Sequence, residues 1–204
     1  MSGDETRRRA ALEAEAPVLA DLAEAGYRFD SLADLRHSRV RYRAAVPVLL
    51  RWLPRATNRD VKEDIVRALS VPWARPAAAR PLIEEFRRVD ATVDPEGSGL
   101  RWTIGNALEV VGDDSVIDEL VGLARDRSYG KARQMVVLGL GKSKDPRAAG
   151  VLVELLDDED VNGQAVKALG KLKAPETRPA LEPMLSDPRA WVRREAKKAL
   201  AKLG

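Results

Sequence analysis

A ten-residue pattern closing on leucine returns five times without gaps along this chain, and no other feature limits its fold so strongly. The segments are VKEDIVRALS (61–70), LRWTIGNALE (100–109), ARQMVVLGLG (132–141), VNGQAVKALG (161–170) and VRREAKKALA (192–201). Their closing leucines, Leu69, Leu108, Leu140, Leu169 and Leu200, are separated by 39, 32, 29 and 31 residues. A period of that size marks stacked supersecondary units. Eight, four and one residues before each leucine stand Val61/Ile65/Ala68, Leu100/Ile104/Ala107, Ala132/Val136/Gly139, Val161/Ala165/Ala168 and Val192/Ala196/Ala199. Steps of four and three place each trio on one face of an α-helix. Their small size lets neighbouring helices approach closely.

A second apolar helix precedes each segment: AAVPVLLRWL, AARPLIEEF, VIDELVGLA, AAGVLVELL and ALEPMLSD. Asp145-Pro146 and Asp187-Pro188 offer an acidic N-cap followed by proline at the first helical position, where a missing N–H costs nothing. Gly112, Gly141 and Gly170 stand at or just past the ends of the second helices, where a left-handed residue is expected to close them. Residues 90–100, DATVDPEGSGL, form the longest insertion and account for the 39-residue spacing. Residues 6–25 and 30–36 read as capping helices, with Asp30-Ser31 as the start signal before LADL. No segment shows strand-like alternation. The expected architecture is all-α, an α-α superhelix of about five helix pairs. It is one continuous solenoid over residues 44–204 (about 44–74, 76–112, 113–143, 145–173 and 175–204), behind N-terminal capping helices in residues 1–43.

This layout of an Ala/Pro-rich first helix, an acidic turn and V-R-x-x-A-x-x-A-L-G resembles HEAT repeats. The resemblance is closest to the short HEAT-like repeats named after phycobilisome lyases, as found in bacterial HEAT-repeat proteins. VNGQAVKALGKL and WVRREAKKALAKL carry that signature, with GKARQMVVLGLGKS nearly matching it. The resemblance covers about residues 44–204 and implies the fold. It implies little about function, because sites are grafted onto folds. No residue set here would carry bilin-lyase activity.

Composition narrows the class. The chain of 204 residues is 45% apolar and 33% charged with both signs present, too apolar for disorder and too charged for a membrane span. Its N-terminus has arginines but no apolar stretch after them, so no secretory signal is read there. With no cysteine there is no disulfide framework or zinc–thiolate site. A soluble cytoplasmic protein is expected, without membrane contact.

Three local signals invite chemistry and fail on their own terms. GKS at 141–143 lacks the glycine a phosphate loop needs five positions earlier, where Val136 stands, and it ends a helix rather than following a strand. Asp158 to Gly163 opens like a calcium loop, but position twelve is Leu169 instead of glutamate. The acidic run more simply caps the following helix. His37 is the only histidine, too few imidazoles for a triad or a zinc site. No catalytic residue, cofactor or metal is expected, and the chain does not read as an enzyme.

Function is then expected from surface. Second helices line the concave face of a HEAT-like stack, so positions six, five and two before each closing leucine face the groove. The candidate partner-binding residues among them are Arg67, Trp102, Asn106, Gln134, Met135, Leu138, Gln164, Lys167, Arg194 and Lys198. Trp102 beside Met135 and Leu138, flanked by amide and basic groups, has the make-up of a protein-binding hot spot. Trp52 and Trp73 read as packing residues. Lys62, Arg101, Arg133 and Arg193 recur seven positions before the closing leucine, read as structural bonds to acids of adjacent turns. The expected function is a non-enzymatic scaffold holding a protein or peptide in its groove. The alternative is a nucleic-acid-binding groove similar to that of HEAT-like alkylpurine glycosylases, whose groove tryptophans Trp102 and Trp191 superficially match. The aspartate that resemblance would require one turn from a groove tryptophan is here Asn106.

Overall fold

The computed structural model describes residues 3–90, 94 and 99–203; most of the 90–100 insertion lies outside the described residues. Twelve α-helices and no strand occur among them. The first two, α1 (Gly3–Glu24) and α2 (Leu32–His37), precede five successive pairs. These pairs are α3 (Val46–Trp52) with α4 (Arg59–Leu69), and α5 (Ala79–Arg88) with α6 (Leu100–Val111). Then come α7 (Ile117–Arg125) with α8 (Gln134–Leu140), and α9 (Arg147–Glu154) with α10 (Asn162–Leu172). The last pair is α11 (Arg178–Leu181) with α12 (Ala190–Ala201). The protein is an α-α superhelix.

The second helices stack directly on one another, α4 on α6, α6 on α8, α8 on α10 and α10 on α12, and α2 continues that layer against α4. First helices touch each other far less. A stack drawn tighter on one side curves toward it, so the second helices form the inner, concave layer. The repeat-frame apolar positions are its core: Ile65, Ile104, Val136, Ala165 and Ala196 are all 0–1% exposed. Ser31 starts α2 as expected, its side chain accepting from the Asp34 N–H.

Three sequence expectations are corrected. The closing glycines are not left-handed: Gly112 and Gly141 have φ of −63° and −66°, and Gly170 lies within α10. Lys173, at φ 56°, is the left-handed residue that ends α10. Gly141 and Gly170 serve close packing instead. A β-carbon on Gly141 would lie 2.7 Å from Ala168 Cα, and one on Gly170 would lie 2.9 Å from Ala199 Cβ. The first helix of the last pair is cut short, passing into a 3-10 turn over Glu182–Ser186, because Pro183 lacks an N–H and its ring crowds the preceding turn. Finally, α12 begins at Ala190, later than Asp187-Pro188 suggested; Asp187 caps the turn before it by accepting from the Arg189 N–H at 2.8 Å.

Candidate interaction surface on the inner layer

The basic residues that open the second helices are spent on the fold. Arg101 is 5% exposed and donates to the carbonyls of Phe86 and Val89, closing α5. Its guanidinium also lies 5.1 Å from the Tyr129 ring centroid. Arg133 is fully buried, donates to Ala124 O at 3.0 Å at the end of α7, and pairs with Asp158 at 2.8 Å. Arg193 donates to Asp187 O and Pro188 O, and Lys62 pairs with Glu85. Each thus ties a second helix to a neighbouring first helix or turn. Burial pushes the Asp158 carboxyl up, but the Arg133 hydrogen bond and charge, the Asp160 N–H and Arg127 outweigh it and hold the group below its usual range. The carboxylate that would have begun a calcium loop is therefore committed to an arginine.

Outward from that core, α6 presents Trp102 at 40% exposure, with the next turn of the helix drawn close to α8. Gly105 permits that approach: a β-carbon there would stand 3.0 Å from Ala132 O and 3.8 Å from Met135 Cβ. Met135 is half-buried. Leu138, expected to face the groove, is only 7% exposed, because α8 is packed between α6 and α10 and a leucine at that seam is covered. Two candidate amides are engaged within the protein. Asn106 donates to Trp102 O at 3.1 Å, and Gln134 donates to Asp160 O at 2.8 Å. Arg67 is exposed but pairs with Glu63 and Asp64 on its own helix, and Lys198 pairs with Glu195 at 2.9 Å. Lys167 and Arg194 are exposed, and Gln164 is half-buried.

A second tryptophan, weighed in the sequence only for the nucleic-acid alternative, belongs to this surface as well. Trp191, at the start of α12, is 37% exposed and lies across Gly163 of α10, where a β-carbon would stand 2.0 Å from its ring. The signal was present in the frame, since Gly163 occupies the position that Trp102 holds in its own repeat. Trp52 and Trp73 sit in packing. The Trp52 indole donates to Asp21 at 2.8 Å, joining α3 to α1, and Trp73 meets Tyr42 edge-on at 5.4 Å.

A solenoid of successive helix pairs stacked through their second helices defines the class as an α-α repeat protein. The family model for HEAT repeats matches residues 89–163 and 157–204, and the chain belongs to the HEAT-repeat family. Among solved structures, a designed armadillo repeat protein is 17% identical with a TM-score of 0.50, the match covering 85% of this chain and 98% of that one. An engineered protein solved by crystallography is 18% identical with a TM-score of 0.54, over 84% of this chain and 87% of that one. These likenesses bear on the fold. No curated protein matches the chain. No helix among the described residues is long and apolar enough to cross a membrane.

Proposed function

We propose that the protein is a non-enzymatic scaffold that holds a protein partner against its inner layer, with Trp102 as the anchor. One observation carries this reading: a tryptophan is left 40% exposed on the stacked second helices. Repeat solenoids offer their concave surface in this way, and exposed tryptophans dominate many interfaces. Arg67, Gln164, Lys167, Arg194 and Lys198 make the polar rim, whereas Asn106 and Gln134 act by fixing the helices that present it. Leu138 supports the surface from beneath. The short lyase-type subtype belongs to the same reading, resting on the motif residues quoted above. So does the division into an end cap over residues 1–43 and repeats over residues 44–204.

The test compares proteins captured from the native cell extract by wild-type and Trp102→Asp protein. A partner lost with the variant is then titrated against Trp102→Ala. Binding should weaken roughly thirtyfold or more, equivalent to about 2 kcal/mol, with little change in the unfolding midpoint. Trp102→Ala that unfolds as readily as a core variant would place Trp102 in the core and remove the site.

A further inference from the structure

A second surface runs along the edge where the second helices end. Lys142, Lys171 and Lys202 each stand two residues past a closing leucine, and Lys167 and Lys198 stand two residues before one. The repeat frame therefore puts them in file across the last three pairs, and the contacts show that the file is continuous. Lys142 Nζ lies 2.7 Å and Lys171 Nζ 3.5 Å from the same oxygen of Glu109, so three successive repeats meet at one carboxylate. Around Glu195 the Lys198 hydrogen bond, outweighing partial burial, combines with the charges of Lys198, Lys167 and Lys202 to hold the carboxyl below its usual range. Five ammonium groups thus share one strip with two carboxylates, and the surplus is positive.

The strip leads to a cavity of about 520 Å³ whose lining includes Leu108, Leu120, Val136 and Leu140, with Arg75, Lys142 and Lys144 at its rim. The rim acids are occupied. Asp114 accepts from Ser143 Oγ at 2.5 Å and from the Lys144 N–H, and Asp113 accepts from the Ser115 N–H and hydroxyl. A lysine file beside an apolar hollow fits an acidic chain bearing an apolar side chain.

We propose that this edge binds an extended acidic peptide segment with aspartate or glutamate at about every third position, one apolar residue of which enters the cavity. The spacing follows from geometry. Packed helices lie about 8–10 Å apart, and a chain in the extended polyproline II form advances about 3.1 Å per residue with three residues per turn, so every third side chain faces the strip about one repeat further along. A helical ligand, rising about 1.5 Å per residue, would not keep that register. A polyphosphate backbone matches less well, because it has no apolar side chain to fill the cavity lined by Leu108, Leu120, Val136 and Leu140. Lys167 and Lys198 also belong to the rim proposed around Trp102, so the test turns on Lys171 and Lys202, which do not, and the two proposals fail separately.

The experiment uses fluorescence anisotropy on the full chain at about physiological salt. The probes are a labelled peptide of about fifteen residues with glutamate at every third position and one central leucine, a peptide of the same composition with its glutamates contiguous, and an oligothymidylate. The in-register peptide should bind tightest, weaken roughly tenfold with Lys171→Gln/Lys202→Gln and with leucine replaced by serine, and be unaffected by Trp102→Ala. No binding of the in-register peptide, equal binding of both peptides, or tighter binding of the oligonucleotide would each overturn the proposal. Circular dichroism of the double variant confirms that a loss of binding is not a loss of fold.

Discussion

Arg133 shows how a single residue can be read correctly in kind and missed in weight. The repeat frame marked it as a structural arginine, but nothing in a linear pattern reveals that it is wholly buried against Asp158. Burial depends on how the turn before α8 folds back over its own helix. Removing one partner strands the other charge, so Arg133→Ala should cost about 3–5 kcal/mol in denaturant unfolding. The pair also sets a pH dependence. Asp158 has a depressed folded pKa, so its stabilisation is complete above the ordinary carboxylate value and is lost as pH falls through the folded one. Asp158→Asn should therefore be less stable than wild type at pH 7, with the gap narrowing below about pH 4. Urea titrations across that range check the sign, and a gap that widens in acid would contradict it. Trp102 is the converse case, since the frame placed its helix face and the structure added its exposure.

At the scale of the element, the sequence reveals the second helices best. Their apolar trios recur in phase, and the trio positions in α4, α6, α10 and α12 are buried or nearly so. It predicts glycine less well, because the closing glycines look like helix stops and act as points of contact. Between α6 and α8 the small partner is Gly139, where a β-carbon would stand 3.4 Å from Glu109 Cα; in the next two crossings Gly141 meets Ala168 and Gly170 meets Ala199. Gly141→Ala would put its methyl under 3.0 Å from Ala168 backbone atoms, which cannot swing away. A loss of about 1–3 kcal/mol is expected, whereas Gly122→Ala, with open space around it, should be neutral or stabilising. Equal unfolding midpoints for the two variants would show that the crossing is looser than described. The shortened α11 was legible in principle from Pro183, but apolar spacing outweighed it in the reading.

At the scale of the whole molecule, a stack of this kind draws its stability from each repeat and its nearest neighbours. Leu140, 1% exposed in the middle pair, should cost about 2–5 kcal/mol when cut to alanine. A shift under about 1 kcal/mol in the unfolding curve would remove it from the core. The inner and outer seams are built differently. Inside, glycine and alanine bring helices into contact. Outside, exposed ion pairs lace the first helices together: Arg80 with Glu119, Arg147 with Asp118 and Arg125 with Glu154. Each exposed pair is worth about 0–1 kcal/mol and is screened by salt. The inner seam therefore works as a hinge line and the outer seam as a set of elastic ties. Closing the groove further is a small rotation at each repeat that stretches charged links and leaves the greasy contacts shut. Raising salt should shorten the scattering envelope, by letting the stack curl tighter, before it lowers the helical signal, and a partner slimmer than the groove would be met by bending rather than by a gap.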